Sequence, residues 1–419
     1  MLIRRLPLLR GRKTKGDLNL RDLQDAVGYI NDYWKTVERR HTEDSGTLVG
    51  LPFPYIVPAA DPKASFTFEE QYYWDSYFTA LGLREPQHRS MVEGMLENLI
   101  FLFKRFAVIP NASRMYFTSR SQPPLLTSFI FHVYDTYNKD ELWLKEHMAV
   151  AEEEYYSVWM SKVHPQWHNV YRGLSRYYDI NVLHDLAEAA SGWDMTPRFE
   201  RKCLDFLPID LNALLYKYEK DFARASLIFG DSKKAADWDR KASSRKTAMN
   251  QLMWGKLRGF YFDYNYERRV LGDVWSLAGF YPMWAGMVDK NQAKRMVDSL
   301  VKFEKKGGLA TTSRPLIDYS SLFGSLKTQW AYPNGWAPLH YIVVEGLKRY
   351  GYEEEARRIQ LKWVKTNLDW FNRHGVFLEK YNVVNTKKLP VEGIYPSQTG
   401  FSWTNAIFTL YVEDLELLK

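Results

Sequence analysis

Asp194, in Ala190-Ser191-Gly192-Trp193-Asp194, and Glu379, in Leu378-Glu379-Lys380-Tyr381, are the two acidic residues whose surroundings could carry chemistry. They lie far apart in the chain, so only folding can join them. An acid and a base so joined can cleave a glycosidic bond without a metal or an organic cofactor. A carboxylic acid against an indole, as Asp194 is beside Trp193, is partly desolvated; its neutral form is favoured and it can donate a proton near neutral pH. A cation near Glu379, with Lys380 as the candidate, keeps that carboxylate ionised and able to activate a water. Each residue alone has a plainer reading: Asp194 as the N-cap of the next helix, Glu379 in a short strand with a surface ion pair.

Three other segments could bind rather than react. In Phe68-Glu69-Glu70-Gln71-Tyr72-Tyr73-Trp74-Asp75-Ser76-Tyr77-Phe78, aromatic residues are interleaved with acceptors, an arrangement suited to stacking on a sugar and bonding adjacent hydroxyls. The plainer alternative is an aromatic helix start capped by Asp75. Asn111, Arg120 and Gln122 supply donors and acceptors between turn-forming prolines, a pattern that alone reads as a surface turn. In Gln329-Trp330-Ala331-Tyr332-Pro333-Asn334-Gly335-Trp336-Ala337-Pro338, Gln and Asn interrupt the aromatics where a pure core would place Leu or Val, which favours a cleft wall.

The scaffold that must position these groups reads as mostly helical. Apolar residues recur in steps of three and four at Val92, Leu96, Leu99, Phe103, at Leu144, Met148, Ala151, Tyr155 and at Leu211, Leu215, Tyr218, Phe222. Further helices are expected near 22–42, 231–250, 291–303, 334–349, 353–371 and 404–416. Period-two alternation is scarce, so the fold class is all-α. The connections at 50–78, 109–124, 172–179, 190–199, 306–338 and 375–403 are rich in Gly, Pro, Trp, Tyr and Asn, the kind of long loop that houses function. No linker divides the chain and no repeat of 20–50 residues is legible, which leaves a closed ring of weakly related helices open.

With 419 residues, 46% hydrophobic and 26% charged, the chain can bury a large core and is not disordered. Its aromatic content of 16%, including 15 Trp and 28 Tyr, exceeds what packing alone usually calls for and suits a cleft with flat walls. The expected organisation is a basic N-terminal tail over 1–20, with Arg4, Arg5, Arg10, Arg12, Lys13 and Lys15, and a single catalytic domain over 21–419. The net charge of +7 is read as solubility, with no nucleic acid, no membrane and a monomer or weak homo-oligomer expected. One cysteine, Cys203, excludes an intramolecular disulfide and a cysteine metal cluster. There is no His-Glu-x-x-His, no Gly-rich phosphate loop and no Gly-x-Ser-x-Gly, so neither metal nor cofactor is expected. The N-terminus lacks the apolar core of a secretory signal, which makes the cytoplasm the expected location.

Taken in order, the motifs resemble the trehalase family of inverting glycoside hydrolases, related to α-glucosidase and mannosylglycerate hydrolase barrels of the same clan. Glu70 through Phe78 is similar to one family signature and Gln329 through Pro338 to the other. Ile109-Pro110-Asn111, Arg120-Ser121-Gln122-Pro123-Pro124, Ser191-Gly192-Trp193-Asp194, Asp210-Leu211-Asn212, Glu379-Lys380-Tyr381 and Gly400-Phe401-Ser402-Trp403-Thr404-Asn405 also match, so the likeness runs from about residue 50 to 405. It implies an (α/α)6 barrel with Asp194 as general acid and Glu379 as general base, standing roughly 6.5 to 9.5 Å apart. It implies a pocket for the cleaved glucose lined by Phe68, Tyr72, Trp74, Asp75, Asn111, Arg120 and Gln122. Gly192, Trp193, Gln329, Trp330, Trp336, Lys380 and Trp403 complete the expected substrate-binding set.

The departures from the family concern the far side of the scissile bond. A Pro-Gly-Gly-Arg stretch is replaced by Ala64-Ser65-Phe66-Thr67, which removes an arginine, and Ala331 stands where an acid usually follows Gln-Trp. A family stretch of the type Arg-x-Glu-Ser is missing between Asp179 and the Asp194 segment. In Val391-Glu392-Gly393-Ile394-Tyr395 the usual acid before Tyr is displaced, with Glu392 as a substitute. The expected activity is therefore hydrolysis of trehalose or a related small α-glucoside. Glucosyl- or mannosylglycerate, or short α-glucans, are the second expectation, because lost hydroxyl partners redirect the choice of leaving group. A sugar-binding protein without catalysis is the alternative from another class, and it would need neither carboxylate.

Overall fold

The computed structural model describes residues 18–64, 66–315, 328–393 and 395–419. Most of the expected basic tail lies outside the described residues, as do Ser65 and Ile394 and the middle of the 306–338 connection. Leu18 is already buried and Asn19 caps the first helix by accepting from the Arg21 N–H, so the ordered body takes in the end of the predicted tail.

Twelve of the described helices form six consecutive pairs, one outer and one inner: α1 Leu20–Val37 with α2 Tyr73–Ala80, α3 Arg89–Phe106 with α4 Leu126–Tyr137, and α5 Glu141–Glu154 with α7 Ile209–Ile228. α8 Ser232–Leu252 pairs with α9 Tyr281–Trp284, α10 Lys290–Asp298 with α11 Ala337–Arg349, and α12 Glu353–His374 with α13 Ser402–Asp414. A short helix, α6 His184–Ala190, lies within the connection before α7. The fold is an (α/α)6 barrel.

Sequence decides which helix goes to which ring. Outer α8 buries Ala235, Trp238, Ala242, Arg245 and Met249, one stripe at steps of three and four, and leaves its other faces to water. Inner α2 buries every residue from Tyr73 to Ala80, and α13 buries Ser402 through Val412 without a break. Around the inner ring α4 packs on α7, α7 on α9, α9 on α11, α11 on α13 and α13 on α2. At that last contact a Cβ on Gly82 would lie 2.3 Å from the Ala406 Cα, so only glycine lets the first and last inner helices meet. Strands are confined to two- and three-residue pairs, in agreement with the scarce alternation.

The N-terminal ends of the inner helices face the same end of the barrel. Trp74 in the first turn of α2, Trp336 just before α11 and Trp403 in the first turn of α13 form edge contacts, with ring centroids 5.7 Å apart for Trp74–Trp403 and 6.0 Å for Trp336–Trp403. Among the described residues no helix is long and apolar enough to cross a membrane.

Two buried polar networks hold the loops at that end. The Arg198 guanidinium donates to both carboxylate oxygens of Asp210 (2.9 and 2.7 Å) and of Asp263 (3.0 and 2.8 Å), while stacking 4.4 Å from the Trp193 ring. Asp263 also accepts the Ile209 N–H at the start of α7, so this network ties the segment after α6 to an inner helix. In the second network Glu154 accepts from Tyr218, Trp159 and Tyr73, and both tyrosine hydroxyls accept the Leu126 N–H at the start of α4.

Removing Arg198 leaves two buried carboxylates facing each other, so Arg198→Met should lower the unfolding free energy by about 3 to 5 kcal/mol in urea titration. Burial holds the Glu154 carboxyl up at about 7, against its tyrosine and tryptophan donors. The folded protein therefore keeps a proton that the unfolded chain releases near the ordinary glutamate value of about 4.3. The stability tied to that proton is complete below this value and is lost as the pH rises through about 7. Thermal melts from pH 4 to 8 should show the decline, and Glu154→Gln should flatten it.

Candidate active site

Asp194 sits in a loop shaped by the end of α6. The chain leaves that helix through Ser191, whose hydroxyl donates to the Glu188 carbonyl (2.5 Å) and accepts the Trp193 N–H (3.1 Å). Gly192 then takes φ +74, and a Cβ there would fall 2.6 Å from the Trp74 ring, so both backbone and space demand glycine. Past the turn, the Gln329 side-chain amide donates to the Asp194 carbonyl (2.6 Å), Trp330 N–H to the Met195 carbonyl (3.1 Å), and Thr196 N–H to the Glu188 carboxyl (2.7 Å). Asp194 is not the N-cap of the next helix: Thr196 takes that position and accepts the Arg198 N–H. Asp194 is half-buried, with protein packed around its carboxyl group.

Glu379 precedes the strand Lys380–Asn382, which pairs antiparallel with Asn334–Trp336. Its backbone is fixed on both sides: the N–H donates to the Gln398 carbonyl (3.0 Å), and the carbonyl accepts from Thr404 (3.1 Å) and the Trp403 indole (3.3 Å) at the start of α13. The Lys380 ammonium donates to Oε2 (2.7 Å), the Tyr395 hydroxyl to Oε1 (3.0 Å). Neither Glu379 nor Lys380 is more than 1% exposed, so the expected surface ion pair is a buried one, and desolvation makes it far more consequential.

The electrostatics set three carboxyl groups apart. Burial first, and then the Glu379 charge, push the Asp194 carboxyl up to about 7, with the Arg120 and Lys380 cations opposing. Asp75 is pushed well above the carboxylate range by burial, with Glu379 and Asp194 adding to it. Glu188, behind the acid, is raised to about 8 by burial against the Thr196 N–H. Asp194 and Glu188 thus keep their protons to higher pH than ordinary carboxyl groups, and Asp194 does so beside Glu379 with its lysine partner. That arrangement can give a proton at one point of the cleft and take one at another.

The structure brings the predicted residues together, though not all in the expected position. Phe68 and Tyr72 are half-buried and meet edge to face at 5.9 Å. Asp75 is inside α2 rather than its cap. Gln122 caps that helix from outside through its carbonyl, which accepts the Trp74 N–H at 3.0 Å. Asn111 exchanges backbone bonds with Arg120 (3.0 Å) and Tyr73 (3.3 Å), and Arg120 pairs with Asp179 at 3.2 Å.

The indoles differ most from expectation. Trp74, Trp193, Trp330, Trp336 and Trp403 are almost completely covered, with Trp330 stacked on Trp336 at 3.8 Å and on Trp193 at 5.5 Å. They form a packed slab beside Asp194 and Glu379 instead of an open wall, because indoles stacked on one another leave no free face.

Several participants escaped the sequence reading. Tyr395 lies in a segment that drew notice for its displaced acid and not for its tyrosine, and Glu188 was read only as the end of a helix. Arg198 follows Asp194 closely enough to have been weighed. Glu392 is exposed, and it is Tyr395 of that segment that reaches Glu379. Among the described residues no group of three or more His, Cys, Asp or Glu side chains could hold a metal ion.

Comparison with known proteins bears on the family and the fold. A family model described as Trehalase matches residues 13–189 and 179–416. Periplasmic trehalase of Salmonella newport is 31% identical over 94% of this chain and 74% of its own length, and that of Salmonella paratyphi A is 32% identical with the same coverage. Among solved structures, neutral trehalase Nth1 from Saccharomyces cerevisiae superposes with a TM-score of 0.75 at 29% identity, covering 92% of this chain and 79% of that one. A mannosylglycerate hydrolase from Thermus thermophilus shares the fold at 17% identity and a TM-score of 0.66, over 92% of this chain and 99% of that one. The names of the bacterial relatives overturn the cytoplasmic expectation, since they point to the periplasm. The matched length and these identities establish that the chain belongs to the trehalase family of glycoside hydrolases.

Proposed function

We propose that this glycosidase hydrolyses trehalose, or a closely related small α-glucoside, with inversion at the anomeric carbon. The observation that carries the reading is the opposed condition of two carboxyl groups in one cleft: Asp194 raised to about 7 by burial, and Glu379 paired to a buried lysine. Asp194 gives its proton to the glycosidic oxygen as the C1–O bond breaks. Glu379 takes a proton from a water that attacks C1 from the opposite face, and both groups return to their starting states by exchange with solvent. Asp75, whose carboxyl is pushed upward by burial beside these two groups, serves as a hydrogen-bonding partner of a sugar hydroxyl.

The choice of trehalose follows from the names of the relatives. The leaving-group side differs from the family pattern at Phe66, Thr67 and Ala331, so glycerate glycosides and short α-glucans belong in any substrate panel.

Release of glucose from trehalose or another α-glucoside tests the enzyme reading directly. No release from any member of the panel would leave a sugar-binding protein as the better description. Asp194→Asn should lower kcat about a thousandfold on trehalose, near the middle of the range for general acid catalysis. The loss should be far smaller on α-glucosyl fluoride, whose leaving group needs no proton. Because Asp194 must enter the reaction protonated, kcat/KM should fall as pH rises through about 7. A profile flat to pH 9 would remove Asp194 as the acid.

A further inference from the structure

Two stretches beside Glu379, residues 391–393 and 395–399, are each fixed to the barrel. In the first the Asn334 side chain exchanges two bonds with the Val391 backbone (2.8 and 2.9 Å), and in the second Gln398 and Thr399 pair with Glu379 and Leu378. Between these anchors Tyr395 stays half-buried, with its hydroxyl on Glu379 Oε1 and its ring edge-on to Phe66. The Gln329 amide that donates to the Asp194 carbonyl lies beside the Tyr395 hydroxyl. Gly393 makes room for this: a Cβ there would lie 2.6 Å from the Gln329 side-chain carbon. Gln329 thus stands between the backbone of Asp194 and the tyrosine that bonds the Glu379 carboxylate.

We infer that Tyr395 is a positioning residue for the base, with Gln329 packed between it and the Asp194 backbone to hold the tyrosine in place. The inference rests on the proposed roles of these two carboxyl groups. A carboxylate oxygen has two lone pairs, so a tyrosine donor on one lone pair of Oε1 turns the other toward a fixed point, where a water can be held for attack. Lys380 on Oε2 supplies charge without that aim, because an ammonium on a flexible stem is a point charge. Burial together with the Glu379 and Asp194 charges pushes the Tyr395 hydroxyl well above its ordinary range, so it remains a donor throughout the working pH. The charged and titratable groups facing Glu379 are then Lys380 from its own strand, Tyr395 from the loop, Asp194 from the segment after α6 and Asp75 from α2.

Tyr395→Phe keeps the ring and removes the donor. Loss of one hydrogen bond to a charged group should lower kcat about 10- to 100-fold. KM should change less than about threefold, as for a group acting in the reaction step rather than in binding. The loss should persist on α-glucosyl fluoride, where the acid is not needed and water attack still is. Wild-type kcat would overturn the inference, and so would a defect that disappears on the fluoride. Should Tyr395→Phe fail to fold, as thermal melting would reveal, Gly393→Ala displaces the Gln329 amide and should give a smaller loss of the same kind; unchanged kinetics in that variant would also overturn it. Glu379→Gln separates the two layers. If it keeps activity the base assignment itself falls, whereas an inactive Glu379→Gln with an unaffected Tyr395→Phe removes only the positioning role.

Discussion

Two carboxyl groups facing one substrate are useful only if they differ in protonation, and left to themselves in the same dry cleft they would not. The rest of this molecule is organised around that constraint. Around Asp194 the protein withdraws water, and the nearby negative charge of Glu379 adds to the effect. Around Glu379 it withdraws water as well, but supplies a lysine on one oxygen and a tyrosine on the other. The two positions share burial and differ in their donors. Each group also shapes the other, since a charged Glu379 is part of what keeps the proton on Asp194.

Holding that difference demands a rigid support, and the barrel provides it at one end. The first turns of the inner helices are buried on every side and cannot drift, and the loops that carry the two carboxyl groups are bonded to those turns. Thr404 and Trp403 of α13 fix the Glu379 backbone. Arg198, with Asp210 and Asp263, fixes the segment that follows Asp194 to the start of α7. The indole slab fills the space between, with Trp330 touching Trp74, Trp193, Trp336 and Trp403. A buried Lys–Glu pair is ordinarily a poor source of stability. Here it has a second donor and an aromatic neighbour, with Lys380 5.0 Å from the Trp336 ring, and its role is electrostatic rather than cohesive.

What the sequence disclosed follows the same physics. Outer helices such as α3 and α8 show their period because one face meets water and the other does not. Tyr73–Ala80 has no polar face, so its helical period is invisible, and it reads as an aromatic loop motif. The two carboxyl groups were legible from their aromatic settings and from ordered family motifs. The condition of the indoles was not, because burial depends on what stacks on top. Tyr395 was passed over for a related reason: its partner is a residue remote in sequence, and attention went to the displaced acid beside it. The subcellular expectation failed because it rested on the composition of a tail, and the relatives that correct it are matched through the catalytic body.

The central claim is that an acid and a base act on opposite faces of one sugar, and the configuration of the first product reports on this directly. Proton NMR of trehalose hydrolysis, followed on a time scale short against mutarotation, is the measurement. Inversion at the attacked carbon gives one β-glucose while the departing sugar leaves as α-glucose, so the account predicts the two anomers in equal amounts at the earliest times. Only α-glucose at those times would mean retention, and would contradict the roles given to Asp194 and Glu379.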